Sequence, residues 1–126
     1  MEWTSIVEGA YDCTISVGDA HADTVAATIQ LKDFADNNLT VPTNVNAYLS
    51  ELATGLDVSA VTLTTDLSAS VGDREIVVAY KLYRLVSTAA GAITISISYT
   101  TEADDLYLVV VLPNGKKVVS SKFEFE

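Results

Sequence analysis

Ala92-Ile93-Thr94-Ile95-Ser96-Ile97-Ser98-Tyr99 decides the fold class. Ile93, Ile95, Ile97 and Tyr99 fall on one side of an extended chain; Thr94, Ser96 and Ser98 fall on the other. Successive side chains of a strand point to opposite faces, so this is a strand with one face in a core and one in water. The same period runs through residues 24–32, where Val25, Ala27, Ile29 and Leu31 oppose Ala26, Thr28, Gln30 and Lys32. Residues 44–50 place Val45, Ala47 and Leu49 inward and Asn46, Tyr48 and Ser50 outward. The last run sets Val119, Phe123 and Phe125 against Lys122 and Glu124. Val, Ile and Thr make up more than a quarter of the chain. Such β-branched residues lose rotamer freedom in helices and pack well on pleated sheets.

Breakers separate these runs at short intervals. Asp33-Phe34-Ala35-Asp36-Asn37-Asn38, Ala53-Thr54-Gly55, Val71-Gly72-Asp73 and Ala89-Ala90-Gly91 all read as turns. Pro113-Asn114-Gly115 is the strongest, because Asn-Gly suits the primed turns that match strand twist. It predicts a hairpin between residues 104–112 and 117–125, with Pro113 outside the ladder because it lacks an N–H. The stretch 48–58 reads as a strand end plus loop. Short strands at this spacing, with no long helical pattern, make an antiparallel sandwich or barrel. At 126 residues the chain is one domain, 1–126, and residues 1–10 read as an arm ahead of the first alternation.

Charge narrows the function. Seventeen acidic residues against seven basic ones give a net charge of −10. That field repels phosphate backbones and anionic lipid, so the sequence predicts neither a nucleic-acid nor a membrane partner. The longest apolar run, residues 106–112, is far below the ~20 residues a spanning helix needs. The first residues show no basic region followed by an apolar core, so synthesis without export is expected.

Chemistry is sparse. Cys13 lies in phase with Ile15 and Val17 and reads as a buried hydrophobe. His21 and Asp23 have no Gly-x-Ser-x-Gly partner motif and fall in a loop. Asp33/Asp36 and Glu102/Asp104/Asp105 flank strand ends without the spacing of a calcium loop. The glycines are scattered singly, so no phosphate-cradling loop forms. The sequence therefore predicts no catalytic residues, no cofactor, no metal and no enzyme.

One strand breaks the alternation. Leu106-Tyr107-Leu108-Val109-Val110-Val111-Leu112 is apolar on both faces. Either the N-terminal arm or a loop covers its outer face, or another subunit does. Tyr107, Val109 and Val111 on that face are interface candidates, with Tyr48, which lies opposite its own strand's apolar set, and Trp3 in the arm.

Several phrases, in order, resemble a known group. Thr28-Ile29-Gln30-Leu31-Lys32-Asp33, Ala47-Tyr48-Leu49-Ser50, Leu85-Val86-Ser87 and residues 106–116 together resemble small virion proteins of tailed bacteriophages, over roughly residues 24–125. The 33–38 turn departs from the pattern, with Phe34 where a glycine is expected. The resemblance implies an immunoglobulin-like β-sandwich of about seven to nine strands. It implies a capsid decoration or cement protein on the outer face of the shell, assembled in the bacterial cytoplasm. Its partners would be the major capsid protein and further copies of itself, as a trimer. The alternative is a tail, fibre or head-fibre module, or an adhesin, that touches the host surface. The resemblance supplies no catalytic residues.

Overall fold

The computed structural model describes residues 10–18, 24–56, 63, 65–99 and 103–125, and of residues 103–105 the backbone alone. Ten strands follow in order: β1 (Asp12–Val17), β2 (Thr24–Lys32), β3 (Asn44–Ser50), β4 (Ser68–Val71), β5 (Asp73–Val78), β6 (Leu82–Val86), β7 (Ala92–Ser98), β8 (Ala103–Val111), β9 (Lys117–Val119) and β10 (Phe123–Phe125). No helix occurs among the described residues. One sheet has the order β1-β2-β7-β4. The other has six strands in the order β10-β8-β3-β6-β5, with β9 also paired to β8. All pairings are antiparallel, and the two sheets face each other across one core as a β-sandwich.

The alternating residues build that core. Ile29 pairs with Ile93, Ala27 with Ile95 and Val25 with Ile97, and all six are buried. Across the sandwich, Val45 pairs with Leu85 and Leu49 with Leu108. Ala47 lies between Tyr83 and Val110, a small side chain beside a large one, as close packing requires. Each buried Ile, Leu or Val contributes about 1.5–3 kcal/mol of transfer free energy.

Gly72 makes the corner where the chain leaves one sheet for the other, since β4 belongs to the first and β5 to the second. Its φ is 81° and a Cβ there would stand 2.5 Å from the Val86 carbonyl oxygen, so only glycine fits. The hairpin of residues 104–112 with 117–125 closes as predicted. Leu112 N–H donates to the Lys116 carbonyl and Gly115 N–H to the Leu112 carbonyl. The 33–38 turn closes without glycine. The Asp33 carboxylate accepts the N–H groups of Ala35 and Asn37, each at 2.9 Å, and Asp36 takes the left-handed φ of 64°.

Two expectations need correction. The strand count among the described residues is ten rather than about seven to nine, because residues 68–86 hold three short strands and the last run splits. The split also shifts the phase, so Val118 packs against the core and Val119 turns outward to pair with Val109. Ser120 causes the slip. Its N–H donates to the Leu108 carbonyl, and its Oγ accepts the Leu108 N–H at 2.9 Å. A side chain thus takes a ladder position, and the chain resumes with Phe123 and Phe125 in the core.

Candidate contact surfaces

The doubly apolar strand β8 is covered from within the chain. Its inner residues Leu106, Leu108 and Val110 enter the core, and Val109 on the outer face is also fully buried. Residues 51–56 fold back over that face. Gly55, at φ 68°, lies so close that a Cβ would stand 3.0 Å from methyl carbons of both Val109 and Val119. The Tyr48 hydroxyl donates to the Gly55 carbonyl and pins the turn there. Tyr48 and Val109 are therefore not the exposed contacts the sequence suggests, because both are engaged in holding this turn. Tyr107 and Val111, on the same face, remain half-buried. Trp3, His21, Asp23 and Glu102 lie outside the described residues, as do the side chains of Asp104 and Asp105.

Exposed aromatic surface lies elsewhere, at residues outside the interface candidates of the sequence. Tyr11 and Phe34 are 48% and 63% exposed and meet edge to face, with ring centroids 5.1 Å apart. The Lys116 ammonium sits 5.7 Å from the Tyr11 ring centroid and 3.3 Å from Asp12. Such a cation over a ring adds about 0.5–1 kcal/mol at an exposed site. The signal was legible: Phe34 is an apolar ring in an otherwise polar turn.

A second exposed set runs along β5 and its turn: Ile76, Val77, Val78 and Tyr80, each between 42% and 49% exposed. β5 is an edge strand, which explains why its residues stay wet on both faces. Tyr80 holds a φ of 65°, a conformation that glycine usually occupies at this point of a turn. Neighbouring contacts hold it there. Lys81 N–H donates to the Val78 carbonyl, and Tyr80 N–H donates to the Asp66 carboxylate at 2.7 Å. The same carboxylate oxygen accepts the Tyr83 hydroxyl at 2.8 Å, and Arg74 donates to the Leu67 carbonyl at 3.0 Å. Burial, reinforced by the Asp66 carboxylate, pushes the Tyr83 phenol well above its ordinary range, so it stays a hydrogen-bond donor.

A shallow groove of about 510 Å³ is lined by residues 42–46, Arg84 and residues 111–113. Arg84 is its one titratable side chain, and it bridges Glu75 at 3.3 Å. No acid and base converge there. Cys13 is buried, and its thiol is pushed up to about 12 by that burial and by the neighbouring Asp12 charge, with Lys116 acting against them. A thiol so shifted is no nucleophile at neutral pH.

No family model matches the chain, and no curated protein does. Among solved structures, a cohesin module of a family 33 glycoside hydrolase from Clostridium perfringens is similar at 14% identity. That alignment covers 94% of this chain and 96% of the module, with a TM-score of 0.42.

Proposed function

We propose that this chain is a non-enzymatic structural protein of a tailed-bacteriophage virion, a decoration protein that binds the outer face of the capsid shell. The sequence resemblance brings the reading, and the surface chemistry supports it. The observation that carries it is the Tyr11–Phe34 pair, two rings held out to solvent beside Lys116. Rigid aromatic anchors with a cation at the rim are what binding surfaces concentrate their energy in. The groove, with one arginine and no acid–base pair, supports a binding role over a hydrolytic one. The net charge of −10 suits the outside of a shell rather than a face against packaged DNA. For the adhesin alternative, Tyr107 stays half-buried while Tyr48 is buried.

The test is binding of the purified chain to phage shells that lack accessory proteins. Binding that raises the shells' resistance to heat, and that Phe34→Ala weakens about tenfold, supports the reading. No binding to any such shell overturns it.

A further inference from the structure

We propose that Asn114, at the tip of the β8–β9 hairpin, is a site of spontaneous deamidation that converts through a succinimide to aspartate and isoaspartate. Five asparagines occur in the chain, and Asn114 alone precedes a glycine. Attack on a side-chain amide by the next residue's backbone nitrogen is crowded by that residue's Cβ, which glycine lacks. Asn37, Asn38, Asn44 and Asn46 are followed by Asn38, Leu39, Val45 and Ala47. Asn44 and Asn46 are further held in β3, between β6 and β8.

The tip is open to the reaction. Residues 113–117 are exposed, and a Cβ built at Gly115 would meet nothing within 4 Å, so solvent reaches the glycine freely. The Asn114 Oδ1 accepts the Lys116 N–H at 2.9 Å. Negative charge develops on that oxygen when its carbon is attacked, and a donor already in place stabilises it. The Nδ2 donates only a long bond to the Tyr11 carbonyl, at 3.4 Å, so little opposes its departure. One contact works against the reaction: the Gly115 N–H donates to the Leu112 carbonyl at 2.8 Å. That bond must break before the nitrogen turns to Cγ. The reaction therefore proceeds through brief openings of the exposed tip, which leave the core intact.

The atoms balance without a cofactor. Hydroxide removes the Gly115 amide proton, and the nitrogen bonds to Asn114 Cγ. The Cγ–Nδ2 bond breaks and ammonia leaves, the departing nitrogen taking a proton from water. Water then adds to one of the two ring carbonyls. Opening on one side leaves aspartate. Opening on the other leaves isoaspartate, whose main chain runs through Cβ and Cγ and gains one atom within the turn.

Either product changes the tip. The amide donor to the Tyr11 carbonyl is lost, and one negative charge joins the −10 already present. Tyr11 is also the ring that Lys116 covers and Phe34 meets. The charge thus arrives beside the surface proposed for shell contact, while the chemistry itself does not depend on that reading.

Incubation of the full chain in mildly alkaline buffer, then trypsin and mass spectrometry against an unincubated sample, tests this with no shell present. Residues 85–116 form one tryptic peptide, in which Asn114 is the sole side-chain amide. That peptide should gain about 1 Da as an amide becomes an acid. It should do so on the order of tenfold or more faster than any other asparagine reacts, because only here is the attacking nitrogen uncrowded. Part of the product should be isoaspartate, read by an isoaspartyl methyltransferase, and the rate should rise with pH because the nitrogen attacks deprotonated. Gly115→Asp restores a Cβ with a residue that accepts a left-handed φ, as Asp36 does at 64°. It should bring Asn114 down to the rate of the others. An Asn114 that reacts no faster than they do overturns the proposal. So does a product that is all aspartate, since direct hydrolysis gives no isoaspartate, or a rate that Gly115→Asp leaves unchanged.

Discussion

The outer face of the β1-β2-β7-β4 sheet is built of Thr14, Ser16, Thr24, Thr28, Thr94, Ser96 and Ser98, while that of the six-stranded sheet carries Glu75, Val78, Leu82, Arg84, Tyr107 and Val111. The first is mostly hydroxyls, with Ala26 and Gln30 among them and no charge across its middle. The second mixes apolar, cationic and acidic groups, and part of it is roofed by residues 51–56. The inner faces show no such contrast, since both are apolar and shared in one core. Stability thus belongs to the inner faces of both sheets alike. The proposed contact with a shell lies away from both, at the exposed aromatic pair of Tyr11 and Phe34.

The largest expected effects test the equality of the inner faces. Ile95→Ala in β7 and Leu108→Ala in β8 each leave a cavity between the sheets and should each cost about 2–5 kcal/mol. Urea titration reads this as a lowered midpoint at unchanged slope. A Leu108 effect below about 1 kcal/mol would mean that the six-stranded sheet does not share the core. Next in size is the roof. Tyr48→Phe removes the donor to the Gly55 carbonyl and should cost about 1–3 kcal/mol, because that acceptor is covered. A neutral result would break the account of why β8 is apolar on both faces.

High pH probes one buried group in each sheet, Cys13 in the first and Tyr83 in the second. Both have pKa values raised on folding, Cys13 from about 9 to about 12. Above pH 9 the unfolded chain gives up the Cys13 proton while the folded chain keeps it. Stability fully present below that pH is therefore lost as pH rises towards 12, at up to about 1.4 kcal/mol per pH unit. Tyr83 acts in the same direction from about pH 10 upward. Urea midpoints measured from pH 8 to 11 should fall, and the fall should shrink in Cys13→Val and again in Tyr83→Phe. A midpoint flat to pH 11 would show that these groups ionise as freely folded as unfolded.

What was legible in the sequence follows the same division. β2 and β3 were bounded to the residue, and β7 was recognised, because in each the residues that enter the core recur at every second position. β5 had no pattern to read, because an edge strand with every residue exposed imposes no alternation on Asp73–Val78. The outward burial of Tyr48 depends on a turn that folds back from residues 51–56, a tertiary event that no local period records. The one-residue slip after Val119 depends on the Ser120 hydroxyl replacing a backbone partner of Leu108. Phe34 and Tyr80 lie in turns, where no strand period marks which side chains stay exposed.

The smallest expected effects fall on the two outer faces. Thr94→Ala and Ser96→Ala remove hydroxyls that water already solvates and should shift stability by no more than about 0.5 kcal/mol. Val78→Ser, on the other sheet's edge, should also stay within about 0.5 kcal/mol, because the side chain is 49% exposed and little packing is lost. Urea titration checks all three. A loss above about 1 kcal/mol at Val78 with none at Thr94 or Ser96 would mean that the second sheet's edge carries part of the fold's stability, and that the outer faces differ in packing as well as in composition.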